Sequence, residues 1–237
     1  MKRTRHGHHP RNHDEPKQAG LADCLAANQP WYIDSGREPK LTKVGGFRLD
    51  DPAGEVGIEF MAVTDRAGER PTTYQVPLTY RAGALAGADG GLIGTAEHGV
   101  LGHRWIYDGT RDPVLVAQLV ALIQGDAEAQ AQSVSNTPDP TVTSQPVTDG
   151  SLKATGSVAA NRRFATDLRV ETADTRDMRN GQLIIRLNRI LHPGDGAAAA
   201  GEAGQPCLSA TWRLADGTHV RGIFATAQHL QQPAAES

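Results

Sequence analysis

The chain is poor in the residues that carry chemistry by themselves. It has two cysteines in 237 residues, Cys24 and Cys207, far apart and in unrelated contexts. That usage excludes a disulfide scaffold and reads as reduced thiols in a cytoplasmic protein. Aromatic residues make up only 5% of the chain. No apolar run approaches the roughly 20 residues of a membrane helix. The N-terminus is basic but has no apolar core, so it does not read as a secretory signal. The formal net charge of −3 argues against a general nucleic-acid binder. No nucleophile triad, metal-ligand spacing or phosphate loop stands out. Gly87, Gly90, Gly91 and Gly94 fit neither G-x-G-x-x-G nor a P-loop, because the spacing differs and no lysine follows. They read as turn residues.

What the chain does have is a well-patterned block over residues 54–125. Val56, Ile58 and Phe60 alternate with Glu55, Gly57 and Glu59, the period of a half-buried strand with Glu55 and Glu59 on its solvated face. Tyr74, Val76, Leu78 and Tyr80 form a second alternating run. Pro77 within it cannot donate to a ladder, which predicts an edge position or a bulge. Residues 65–71 (DRAGERP) read as the hairpin turn between the two. A third strand is expected over 100–107, with Trp105 and Tyr107 on one face. Asp112 then reads as an N-cap with Pro113 at the first helical position. Leu115, Leu119, Leu122 and Ile123 recur at helical spacing, and Gly125 suits the helix end.

The flanking segments are simpler. Residues 1–16 read as a basic, disordered tail; its His6, His8, His9 and His13 lack the Cys or carboxylate partners of a metal site. A short helix is expected over 17–28, with Leu21 and Leu25 on one face and Cys24 near it. Trp31, Tyr32 and Ile33 anchor it to the sheet, and residues 40–49 form another strand. From about residue 131 to 149 the composition turns Ser/Thr/Pro-rich and reads as a linker. Residues 150–230 then read as a small β-rich unit, with strands over 152–158, 168–171 and 183–191. A hairpin over 208–226 turns at Asp216-Gly217. Residues 194–206 read as a flexible insertion, and 231–237 as a tail. The class is α+β, with antiparallel sheets and few helices.

Several segments of the block resemble one family. They are Trp31-Tyr32, Gly45-Gly46-Phe47-Arg48, the strand over 55–63, and Tyr74-Gln75-Val76-Pro77-Leu78-Thr79-Tyr80-Arg81. Leu92-Ile93-Gly94-Thr95 and Trp105-Ile106-Tyr107-Asp108 through Asp112-Pro113 complete the set. Together they resemble the N-terminal cap domain of actinobacterial maltokinases. The resemblance implies a cystatin-like curved sheet with covering helices over 17–130, which does no chemistry itself. A looser resemblance follows. LIIRLNRILHPG (183–194) looks like the strand of maltokinase-type kinases whose lysine holds nucleotide phosphates, here with Arg186 in that place and Asn188 where an aromatic is usual. GIFATAQ (222–228) looks like the strand leading to the interlobe hinge. No H-G-D-type loop follows, and phosphoryl transfer needs a base and Mg²⁺ ligands besides a clamp. Residues 150–230 thus resemble a truncated kinase N-lobe.

The resemblance implies a non-catalytic accessory or regulatory protein that needs no cofactor and no metal. It would dock a protein partner among the α-glucan or maltose enzymes: a maltokinase, a maltosyltransferase or a branching enzyme. Nucleic acid and membrane are not expected partners. Trp31, Tyr80, Trp105 and Tyr107 are the candidate interaction surface. Arg186 is either a nucleotide clamp or, the favoured reading, a solvated strand residue. Glu97 and His98 with His103 are the residues closest to an acid–base set, and the favoured reading of them is structural. Two alternatives stand beside this reading: an α-glucan enzyme, and a pseudokinase-like sensor of nucleotide or oligosaccharide using Arg186 or the Trp105/Tyr107 surface.

Overall fold

A computed structural model describes residues 29–99, 102–132, 137–147, 152–174, 180–194 and 206–230. The expected tail with His6, His8, His9 and His13, the helix with Leu21, Cys24 and Leu25, most of the 194–206 insertion and the 231–237 tail lie outside them.

The first three strands are β1 (Leu41–Leu49), β2 (Gly57–Asp65) and β3 (Thr72–Arg81), paired antiparallel in sequence order. Alternation along β2 holds as expected up to Phe60, and beyond it both faces are buried. Ile58, Phe60 and Ala62 face the main core, while Met61 and Val63 join Tyr74, Val76, Leu78 and Trp31 in a second cluster. Asp65 closes the β2–β3 turn. It accepts the Tyr32 hydroxyl at 2.6 Å and the N–H groups of Lys40 and Ala67 at 2.9 and 2.8 Å. Burial alone would raise its pKa, but these donors outweigh burial and hold the carboxyl below its ordinary value.

Next come β4 (Leu92–His98) and β5 (Gly102–Asp108), a hairpin placed beside β3 through β5. A short 3-10 turn over Gly109–Arg111 leads into helix α1 (Pro113–Gln124). The helix signals are all realised. Asp112 caps the N-terminus by accepting the Val114 N–H at 2.9 Å, and Gly125 ends the helix at φ 82°. Leu115, Leu119, Leu122 and Ile123 are buried.

The second half adds β8 (Leu152–Asn161), β9 (Ala165–Asp174), β10 (Asn180–Asn188), β11 (Ile190–Leu191), β12 (Cys207–Arg213) and β13 (His219–Leu230). Between the halves, β6 (Gln130–Ala131) pairs with β1 and β7 (Thr143–Ser144) pairs with β12. The stretch read as a linker thus touches the sheet on both sides, through backbone bonds that need no large apolar side chain.

All strands form one sheet, ordered β4-β5-β3-β2-β1-β12-β13-β10-β9-β8, with β11 reaching back to β3. The sheet is curved and unclosed. One core drawn from both halves includes Phe47, Phe60, Leu115, Leu168, Leu183, Trp212 and Phe224. Phe47 stacks on Phe60 at 4.8 Å and tilts against Phe224 at 5.8 Å. The fold is mostly antiparallel sheet. The expected covering helices reduce, among the described residues, to α1.

Pro77 occupies a local edge position, as the sequence reading expects, but within an interior strand. It lies in the interior strand β3, opposite Phe60 of β2. Gln75 donates its N–H to the Arg189 carbonyl, away from β2. Strand alternation aims the missing N–H of Pro77 the same way. There β3 pairs with β11 at Thr73 and Tyr74 and with β5 from Leu78 onward. Pro77 occupies the gap between those partners, so it costs no ladder bond.

Candidate interaction site and the buried Arg189 junction

The four aromatics expected at a surface divide. Trp31 and Tyr107 are 1% and 2% exposed and belong to the core. Tyr107 accepts the Leu85 N–H at 2.8 Å. Tyr80 and Trp105 are half-buried. Tyr80 donates to Glu59 at 3.0 Å, and Trp105 meets the His103 ring edge-on at 4.4 Å. Trp105 with His103 is therefore the part of this set that an incoming group can reach.

Glu97 and His103 do meet, at 2.6 Å across the β4–β5 hairpin. Their side chains are 77% and 41% exposed, so this hydrogen bond is open to solvent. The side chain of His98 lies outside the described residues. Glu59, expected on a solvated face, is instead the hub of a polar cluster. Its carboxylate accepts Lys43 and Gln132 at 2.9 Å as well as Tyr80. Gln132, just after β6, and Lys43 of β1 cover it, because β6 packs alongside β1.

Arg186 sits on the outer face of β10. Its guanidinium makes a two-point contact with Asp167 of β9, at 2.7 and 3.1 Å. Asp167 also takes Arg162 at 3.0 Å. The Arg186 hydrogen bond, with Arg162 adding to it, holds the Asp167 carboxyl below its ordinary pKa despite partial burial. Asn188 donates to the Ile223 carbonyl at 3.1 Å.

The residue sequence reasoning passed over is Arg189. It is fully buried. At this point the chain leaves β10, which pairs with β9, and enters β11, which pairs with β3. The Arg189 N–H bonds the Phe164 carbonyl, and its own carbonyl accepts from Gln75. Its guanidinium reaches both halves of the chain. Nη2 donates to Asp108 at 2.6 Å, Nε donates to Thr166 at 2.7 Å, and the plane lies 4.6 Å from the Trp31 ring centre. Nη1 has no hydrogen-bond partner. Burial pushes the guanidinium pKa down, against the pull of Asp108. A signal was present: Leu183, Ile185, Leu187 and Leu191 are the buried parity of this run, and Arg189 occupies the same parity.

A second ion pair fixes α1. Arg81 grips Asp112 with two bonds of 2.6 Å. Burial alone would raise the Asp112 pKa, but Arg81 and the Val114 N–H bring it below the ordinary value. A depressed folded-state pKa gives stability that is present above the unfolded value and lost as pH falls through the folded one. Asp112→Asn should therefore flatten the acid limb of a stability–pH profile while lowering stability near pH 7 by about 1–3 kcal/mol. Urea melts between pH 7 and pH 3 check this. An acid limb of unchanged steepness would contradict it.

Among the described residues no group of three or more His, Cys, Asp or Glu is placed to hold a metal, and no helix is long and apolar enough to cross a membrane. Cys207 is a buried free thiol.

Residues 26–112 match the family model of the maltokinase N-terminal cap domain, so this stretch is similar to the cap of maltokinases. The match runs from ahead of Trp31 to Asp112, the N-cap of α1, and leaves the second half of the chain uncovered. No curated protein matches the chain.

Proposed function

We propose that the chain is a non-catalytic accessory or regulatory protein of α-glucan and maltose metabolism, acting in the cytoplasm by docking a partner protein through its cap-like sheet. The cap match over residues 26–112 supports the maltokinase connection. The observation that carries the non-catalytic part is the Arg186–Asp167 fork. Arg186 stands where the resemblance to a kinase N-lobe puts the phosphate-holding lysine. Its planar donors are already committed to a carboxylate, and arginine is a poor replacement for a compact lysine charge. A phosphate at that place would have to displace Asp167. In this reading residues 150–230 are a scaffold derived from an N-lobe, and Trp105 with His103 marks the reachable part of the cap surface.

The test uses purified full-length chain immobilised against purified maltokinase, maltosyltransferase and branching enzyme, with and without Mg-ATP. Saturable binding to one of them, unchanged by Mg-ATP, is the expected result. Binding to none of the three would overturn the docking reading. Calorimetric titration with Mg-ATP should give no binding heat for the native chain. A binding isotherm that Arg186→Ala abolishes would establish a nucleotide clamp instead.

A further inference from the structure

The outer face of β8, β9 and β10 carries a feature the cap relationship does not touch. Val158, Ala160, Arg162, Asp167, Arg169 and Ile184 line a shallow groove there. Val158 opposes Arg169, which opposes Ile184, and Ala160 opposes Asp167, which opposes Arg186. Arg162 and Arg186 pair with Asp167, and Arg169 is a third guanidinium on the same face, in a chain whose net charge is −3. Glu171 lies at the far end of the same face, opposite Gly156. Arg169 and Arg186 are exposed, and the Arg162 side chain is 64% exposed. At the β8–β9 turn, Arg163 lies 4.8 Å over the exposed Phe164 ring. Val158 is 68% exposed, the most of any large apolar residue described.

The same hairpin ends the sheet: β8 is the last strand of its order, with α1 packed against it. Among the described residues β8 pairs only with β9. The Arg162 N–H bonds the Ala165 carbonyl at 2.7 Å, so alternation directs the N–H and C=O of Val158 and Ala160 to β9 as well. Those of Ser157, Ala159 and Asn161 therefore point away from the sheet. The strand from Gly156 to Asn161 has no Pro and no charged side chain to blunt this edge.

We propose that this edge and groove form a docking site for an extended acidic segment of a partner protein, which adds a strand to β8 and sets carboxylates over Arg162 and Arg169. Backbone bonds to Ser157, Ala159 and Asn161 supply register. A neighbouring strand lies about 4.8 Å away, which brings its outward side chains within reach of both arginines and of Val158. Charge complementarity selects the occupant: a guanidinium prefers a carboxylate held in two-point geometry. The site lies on the half of the chain outside the cap match and does not depend on the function proposed above.

The test is fluorescence anisotropy at low salt with the full chain and a labelled eight-residue peptide alternating glutamate and threonine. The site predicts saturable binding, about tenfold weaker for the glutamine–threonine counterpart and for the Arg162→Ala/Arg169→Ala double variant. Ser157→Pro removes an outward N–H and should lose the binding while the circular dichroism spectrum is unchanged. Should that variant misfold, Val158→Glu, at a solvent-facing position, carries the same expectation through like-charge repulsion. Equal binding of the two peptides, no binding of either, or native affinity in the folded edge variants would overturn the proposal. So would equally tight binding of a ten-residue oligothymidylate, which would mark a general anion patch. Sedimentation showing a dimer that the edge variants dissociate would assign β8 to self-pairing and also overturn it.

Discussion

Asp108→Ala should cost about 3–5 kcal/mol of folding stability, the loss expected when one partner of a buried ion pair is removed. Arg189 is fully buried, and Asp108 is the carboxylate it touches, at 2.6 Å. Without that carboxylate the guanidinium keeps only the Thr166 and Thr110 hydroxyls and the Trp31 face. Its Nη1 is already unpartnered. The reverse substitution, Arg189→Met, should cost less. Asp108 would retain the Thr110 N–H at 3.0 Å and hydroxyl at 2.7 Å, and the methionine would refill part of the apolar space. Urea unfolding of both variants measures the asymmetry. Because a domain has only about 5–15 kcal/mol in hand, Asp108→Ala is expected to be near its unfolding threshold at 37 °C. A loss under about 1 kcal/mol would show that the junction between the halves does not rely on this pair.

Gly46→Ala is expected to be comparably severe, by about 3 kcal/mol or more, through overlap and backbone strain. A Cβ there would lie 2.0 Å from the Phe60 carbonyl oxygen and 2.9 Å from the Met61 Cα, and Gly46 has φ +124°. These neighbours are backbone of the paired strand β2, so they cannot turn aside. Gly54→Ala separates the two causes. Gly54 has φ +70° with open space around it, so only the left-handed penalty of about 1–2 kcal/mol applies. Thermal melts of the two variants should differ clearly, and equal losses would mean that the close approach of β1 to β2 is not what requires glycine at Gly46.

That glycine shows how far the sequence can be read. Gly45-Gly46 is visible as part of the cap-like pattern, but the reason for it, a backbone contact with β2, depends on a pairing that the chain makes in three dimensions. Local signals were sufficient where one segment determines its own structure. The Asp112–Pro113 start and Gly125 end of α1 lie where the caps predict them. The β12–β13 hairpin turns at Asp216-Gly217, as its turn residues require. Long-range pairing was not legible. Nothing local says that β1 meets β12, or that β11 crosses to β3. Both faces of β2 become buried because Trp31 packs on one and α1 shares the core on the other, a tertiary effect that a two-residue period cannot express.

The candidate site was legible in part for the same reason. Arg186 was singled out from its motif, yet its commitment to Asp167 depends on the β9–β10 register. Sequence alone leaves Trp31 and Tyr107 open to a surface role because aromatics favour interfaces as well as cores; the contacts with Arg189 and Leu85 decide for the core. Glu59 has the polar parity of its strand but lies under Gln132, 73 residues further along the chain.

The central proposal is that the chain, cap-like over residues 26–112, does no chemistry on its own. Incubating purified full-length protein with maltose and Mg-ATP, and following maltose phosphate by mass spectrometry, tests it most directly. The account predicts no phosphorylated sugar above a heat-denatured control. Maltose phosphate accumulating in proportion to protein concentration, and lost in an Arg186→Ala variant that remains folded, would contradict it.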